Sequence, residues 1–591
     1  MLQELQELRN TLGTSLGGGD MILKSPADTS HGPRLGSRVC SWGINPRLRF
    51  GFSPRLCFAG SKENMLVSIS LIIAGALSYV AFSIIYNIFF HPLAKIPGPF
   101  LAKISSWPSF YHSLKGDRHI WQWKCFQIYG KKFRAMPNMV LFQSLEAYND
   151  IYSNKANVKK SKFYDSWPRN KRDINTLSTT DLVLHAKKRG LVSHAFTEQS
   201  TRAAAVLMTK HIARWTNLLL GENNRGDEWS DPRDLSVWAD QLTFDIAGDL
   251  AFGIQFETKE PHPKDSRFKE IPGSIIQLMV YLYPVTKSPL IDFVIWVKPR
   301  GLNTLLEAMA PQPIRDYYSF VEEVVAQRLA IQEKNPEDEK DLFHFLCTVK
   351  DPATNQTAFD KDSLLAEAHL LIIAGTHTTG ASLSAALFYL SHNPRVYAKL
   401  AKEIRSTFDS EDEILQGPRL LSCTYLRACI DETNRIAPPG PSELPRVVLK
   451  GGITIDGEYY PAGVTVGNSG WSNGHNEEVF GDCCTFRPER WIISEEAGIT
   501  ATEVSRLKRG FTAFGKGPDS CLGREIALLI LMLAIARTVY SMDLRTLPGS
   551  HVGEGAHDKG WGQRNRNVYQ LRDLYMATRD GPILQFRRRQ I

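Results

Sequence analysis

At 591 residues the chain is longer than one average domain, and 43% hydrophobic with 22% charged residues is the balance of a globular protein with a sizeable core. A formal net charge of +8 is too mild and too dispersed to indicate a nucleic-acid partner. Nine cysteines, an odd number without regular spacing, argue against a disulfide framework and for a reducing compartment; the adjacent Cys483 and Cys484 have no neighbouring His or CxxC and read as ordinary thiols.

Residues 1–64 are rich in Gly, Ser and Arg, lack periodicity and read as disordered. They carry eight Lys/Arg against five Asp/Glu, a positive charge on the wrong side of the segment that follows, so Met65 is the expected start and 1–64 a dispensable or misassigned extension. From Asn64 to Ala94 there is no charged residue, and 65–90 (MLVSISLIIAGALSYVAFSIIYNIFF) exceeds the ~20 apolar residues that span a bilayer. We read it as a single-pass anchor. Pro92, Pro97 and Pro99 make 91–100 a stiff proline-rich hinge, and Lys95 and Lys103 put the large domain, 101–591, in the cytosol.

The first two-thirds of that domain is helical by pattern, with helices expected over 185–196, 200–220, 234–252 and 314–333. Residues 363–392 form a helix apolar on nearly every face, which suits a core crossing, with Asp362 or Ser363 as its cap. Its centre, AGTHTTG at 374–380, holds two glycines and three threonines, poor mid-helix choices whose hydroxyls can bond back to the i−4 carbonyl. A kink tolerated by packing and a locally opened binding site both fit that pattern. Residues 420–436 form a further helix with Glu432 and Arg435 at i, i+3; either a surface pair or a lock joined by the distant Arg490 satisfies the spacing. Strands are expected over 443–468, helix again over 521–542, and a closing strand at GPILQFRRR. The class is mainly α with a minor β part.

The stretch FGKGPDSCLG, 514–523, presents Cys521 from a glycine-rich loop at the start of an apolar helix. Helix N–H groups favour a thiolate there, and glycines let the backbone approach a flat ligand. A buried inert cysteine and a haem axial ligand are the two readings. The surrounding residues decide between them by resemblance. Phe514, Gly517, Cys521 and Gly523 resemble the cysteine pattern FxxGxRxCxG of the cytochrome P-450 family of haem-thiolate monooxygenases. Glu432-Thr433-Asn434-Arg435 resembles its ExxR, Pro488-Glu489-Arg490-Trp491 its PERF-like segment, and Ala374-Gly375-Thr376-His377-Thr378-Thr379 its oxygen-binding helix. The motifs run in family order over roughly 100–591, behind an anchor and proline hinge of microsomal layout, and the chain looks closest to members from fungal specialised metabolism.

The resemblance implies a cytochrome P-450 fold and haem b, with Cys521 as the axial thiolate. It implies that Arg446, His185 and Arg189 reach the haem propionates, that Phe514, Gly517 and Gly523 shape the haem loop, and that Glu432, Arg435 and Arg490 form a structural triad. Thr378, with His377 in the place of the family's acid, would relay protons to oxygen. The implied reaction inserts one atom of O2 into an apolar small molecule, a step in fungal secondary-metabolite biosynthesis. Electrons come from NADPH-cytochrome P-450 reductase docked on a basic face of Arg506, Lys508, Arg509, Lys516 and Arg524, on the endoplasmic reticulum membrane. No nucleic acid is involved. Asp519 stands where the family has an arginine. It should repel a propionate, offset by Lys516 or by Arg446, Arg189 and His185, so that Asp519→Arg improves haem retention. The altered positions 377 and 519 keep two alternatives open: a haem-thiolate isomerase or dehydratase needing no reductase, and a non-catalytic haem binder.

Overall fold

The computed structural model describes residues 61–170, 172–221, 228–334, 341–352 and 354–589. Most of the expected extension 1–64 lies outside them. The apolar run forms a helix, Ser61–Ile85, that widens into a π-helical turn at Tyr86–Phe90. Over the 25 residues Leu66–Phe90 it is long and apolar enough to cross a membrane, and none of that window is buried. The hinge that follows is tied down rather than loose. The buried Arg134 donates to Asn87 O (2.7 Å) and, through Nε, to Pro137 O (2.9 Å), and its own N–H donates to Pro97 O (2.7 Å). A Cβ on Gly98 would lie 2.6 Å from Arg134 O, so only glycine lets the hinge lie this close.

The expected helices are present as Leu182–Ser193, Glu198–Leu220, Leu235–Phe252, Gln312–Lys334, Lys361–His392, Thr424–Ile436 and Arg524–Ser541. Lys361–His392 is also long enough to span a membrane, but 67% of its most apolar window is buried within the protein, and it is the central core helix. Its cap is Asp360, whose carboxylate accepts from Ser363 N at 2.9 Å, a few residues before the expected Asp362 or Ser363. The weak centre does not break it. Thr376 and Thr378 hydroxyls do bond back, to Ile372 O and Ala374 O at 2.7 Å each, yet the helix stays α throughout. Its glycines serve packing against Leu235–Phe252. A Cβ on Gly380 would fall 2.2 Å from Asp240 Oδ1, and one on Gly375 3.3 Å from the Ala247 side chain.

Among the described residues the β part is four small sheets. The largest has the order Lys132–Met136, Met139–Phe142, Thr465–Asn468, Arg446–Val448, Val158–Lys160; its second and third strands are parallel and the rest antiparallel. Its outer pair puts Lys160 directly opposite Arg446, so the two side chains share one face. The hairpin Leu571–Leu574/Met576–Arg579 carries Arg579 to the core helix, and the closing strand Ile583–Arg588 pairs with Met542–Thr546 as well as Arg233–Asp234.

Candidate active site

Cys521 sits on a tight loop three residues before the helix Arg524–Ser541, its N–H donating to Phe514 O at 2.8 Å. Gly515 and Gly517 both have φ +67°, and a Cβ on Gly517 would strike Tyr152 O at 2.1 Å. Gly523 is different: its φ is −81° and nothing lies within 4 Å of a Cβ built on it. Among the described residues no atom demands glycine there. Phe514 packs at the edge of the larger core with the Arg524 guanidinium over its ring. The Cys521 side chain is accessible, yet burial pushes its thiol up, against the opposing pull of the Gly523 N–H and the Arg189 and Arg524 charges. The helix terminus alone therefore does not make a thiolate, contrary to the sequence expectation.

In the middle of the buried helix Lys361–His392, positions 370, 371, 374, 375 and 378 remain open, at the spacing of one helical face. Leu371 on that face and Leu522 beside the cysteine border the same apolar cluster. Thr378 belongs to the open face. His377 does not: it is fully buried, with Asp240 Oδ2 accepting from its Nδ1 at 2.8 Å while Asp240 Oδ1 accepts from Arg579 Nη2 at 2.7 Å. Two residues expected to act together thus point apart, because they are a third of a turn from each other and the neighbouring helix supplies a carboxylate to only one. Burial works to raise the Asp240 carboxyl, but Arg579 and then His377 hold it below the usual range. His377 Nε2 has no hydrogen-bond partner among the described residues.

Asp519 lies at the centre of a cationic cradle. Arg446 Nη2 donates to its Oδ2 at 2.8 Å, and Lys160 Nζ and His185 Nε2 each stand 3.2 Å from Oδ1, though neither aligns as a hydrogen bond to that oxygen. Arg189 reaches the same loop, donating to Ser520 O at 2.6 Å. The expected offset is therefore supplied differently. Lys516 bonds Asn149 instead, and Lys160, which sequence reasoning did not single out, takes its place. Burial would raise the Asp519 carboxyl, but Arg446, Lys160 and His185 hold it down. Burial together with the Lys160 charge lowers the His185 imidazole to about 4, and burial lowers the Lys160 ammonium to about 8. Arg446, Lys160 and Arg189 thus face one carboxylate, an excess of positive charge at an accessible loop. That excess and the open helix face fit the haem that the resemblance implies, whose propionates need cationic partners. Among the described residues no cluster of three or more His, Cys, Asp or Glu could hold a metal ion.

The expected triad is assembled and fully buried. Glu432 accepts from Arg435 Nε (2.9 Å) and Nη2 (2.8 Å), from Arg490 Nε (3.1 Å), from Arg487 N (2.9 Å) and from Trp491 Nε1 (2.9 Å). Burial opposes its charge, but Arg435 and Arg490 keep its carboxyl below the usual range.

Comparison with known proteins agrees with this geometry. The family model described as Cytochrome P450 matches residues 102–567. The chain is 32% identical over 507 residues to the cytochrome P450 monooxygenase poxM of Penicillium oxalicum, covering 85% of this chain and 92% of that protein. It is 34% identical over 524 residues to the cytochrome P450 monooxygenase apf7 of Gibberella fujikuroi, covering 86% and 95%. To atnE of Emericella nidulans, likewise a cytochrome P450 monooxygenase, it is 32% identical over 520 residues, covering 87% and 95%. A chain matched over this length by both model and relatives belongs to the cytochrome P450 family, oxidoreductases of the haem-iron monooxygenase type.

Proposed function

We propose that the chain holds haem b through Cys521 and oxidises an apolar small molecule with one atom of O2, as a step in fungal secondary metabolism. A bound haem supplies the redox centre for O2 reduction, with electrons from NADPH through a cytochrome P450 reductase. The observation that carries the reading is the accessible Cys521 on a glycine-shaped loop, whose neighbour Leu522 borders the same apolar cluster as Leu371 on the open face of the core helix. Cys521 Sγ would ligate the iron, and coordination deprotonates a thiol that burial otherwise keeps protonated. Arg446, Lys160 and Arg189 would hold the propionates. Leu370, Leu371 and Ala374 exclude water from the oxidising face, and Thr378 Oγ1, now donating to Ala374 O, can turn to pass a proton into it. His377 and Asp240 act behind that face, fixing the turn that carries Thr378. Lys508, Arg509, Lys516 and Arg524 are exposed and suit an acidic reductase surface. The helix Leu66–Phe90 supports anchoring in the endoplasmic reticulum membrane with the domain in the cytosol.

The test is the spectrum of the reduced protein under carbon monoxide. A strongly red-shifted Soret band, lost in Cys521→Ser while haem is retained, is expected. Haem bound without that shift in the wild-type chain overturns the assignment. Product formed only with reductase, NADPH and O2 together separates this function from a reductase-independent isomerase or dehydratase and from a non-catalytic haem binder.

A further inference from the structure

The segment 480–485 wraps its backbone around the two guanidiniums of the triad. Phe480 O and Gly481 O accept from Arg490 Nη1 and Asp482 O from Arg490 Nη2, while Cys483 O accepts from Arg435 Nη1 at 2.8 Å. Thr485 O accepts from Arg435 Nη2 at 3.3 Å and Arg490 Nη2 at 3.4 Å. On the outer side Glu477 takes the Asp482 and Cys483 N–H groups at 2.7 and 3.0 Å. Two adjacent thiols ride on this clamp. Cys483 is buried, Cys484 is exposed, and their sulfurs are 3.8 Å apart. Neither has a part in the haem site.

We propose that Cys483 and Cys484 are a peroxide-sensitive thiol pair, whose closure to a vicinal disulfide loosens the 480–485 clamp on Arg435 and Arg490. The exposed Cys484 is the attacking sulfur and the sheltered Cys483 the resolving one. The hydrogen bond between the two thiols lowers the Cys484 thiol and raises that of Cys483; Arg435 adds to the first effect. In the first step the Cys484 thiolate forms a bond to one peroxide oxygen, the O–O bond breaks, and hydroxide leaves and is protonated to water. In the second, Cys483 Sγ attacks the Cys484 sulfenic sulfur, and the hydroxyl departs with the Cys483 proton as a second water. Two thiols lose two electrons and two protons, and one peroxide becomes two waters. The sulfurs must close from 3.8 Å to about 2 Å. Adjacent residues can do this only by turning the peptide between them, and that peptide's carbonyl is Cys483 O, the one bonded to Arg435. Disulfide formation and the Arg435 hydrogen bond therefore compete.

The test treats the full haem-loaded chain with hydrogen peroxide, blocks free thiols with an alkylating reagent, and maps the tryptic peptide 451–490. Cleavage is blocked at Arg487 by Pro488, so this peptide contains Cys483 and Cys484 and no other cysteine. The expected product is a peptide lighter by two hydrogens, carrying no label, and restored by dithiothreitol. Its appearance should coincide with a lower thermal midpoint and faster haem release, neither of which peroxide produces in Cys484→Ser. A wild-type peptide that still takes two labels, or an over-oxidised Cys484 beside a free Cys483, overturns the pair. A disulfide that leaves midpoint and haem release unchanged overturns the coupling, as does a loss that Cys484→Ser shares. The peptide map needs no variant, so a misfolded Cys484→Ser does not shelter the proposal.

Discussion

Glu432 and Asp519 are both carboxylates surrounded by cations, and they are built to opposite ends. Glu432 is fully buried and its oxygens take bonds from both arginines, a backbone N–H and an indole, so its charge and its lone pairs are spent inside the protein. Asp519 is partly exposed, faces more positive charge than it cancels, and leaves Oδ1 without an aligned hydrogen bond. The saturated cluster locks the Thr424–Ile436 helix to distant loops. In the proposed function the unsaturated one keeps charge in hand for a ligand. Placement of the donors, not the number of nearby cations, separates structural ion clusters from binding ones.

That distinction can be broken by substitution. Glu432→Gln strands two buried guanidiniums and should cost about 3–5 kcal/mol, enough to prevent recovery of folded protein or to lower its urea midpoint sharply. A variant as stable as wild type would make the triad decorative. Asp240, a buried carboxylate, is intermediate, with Arg579 and His377 as its partners. Because its folded pKa is depressed from 3.8, its stabilisation is present above that value and lost as pH falls through the lower folded one. The stability gap between wild type and Asp240→Asn, about 3 kcal/mol at neutral pH, should shrink on acidification; a pH-independent gap would mean the carboxylate is not charged in the fold.

The proposed binding cluster predicts smaller effects on a different observable. Lys160→Met should speed haem transfer to an excess of a haem-scavenging apoprotein about tenfold, equivalent to ~1.4 kcal/mol. Asp519→Asn sharpens the comparison most. It should destabilise the haem-free protein, whose cations lose their partner, and slow haem release by a few-fold, since one anion facing the propionates is gone. If both quantities move the same way, Asp519 is a structural counter-ion like Glu432. Asparagine is the informative change, because an arginine at 519 would meet Lys160 and Arg446 in a cradle already rich in positive charge.

How much was legible in advance follows from the reach of each interaction. The anchor, the helices and the order of the motifs were readable because apolar runs, periodicity and local spacing are properties of neighbouring residues. Glu432 and Arg435 were visible as an i, i+3 pair, and Arg490 could be joined to them only through the family resemblance. Lys160 was invisible: it meets Arg446 by pairing of strands far apart in the chain, and a register one residue away would turn it to the other face. The mid-helix glycines were read as weakness, yet Gly380 exists so that Asp240 can approach from another helix. His377 looked like a substitute acid beside Thr378 until Asp240 and Arg579, from two other elements, drew it away from the open face. The sequence by itself therefore determined the family and the apolar helix Leu66–Phe90, both carried by runs and spacings of neighbouring residues. Only the tertiary structure decided which charges cancel and which remain available, because Coulomb interactions and desolvation depend on distances between segments that the chain order does not set.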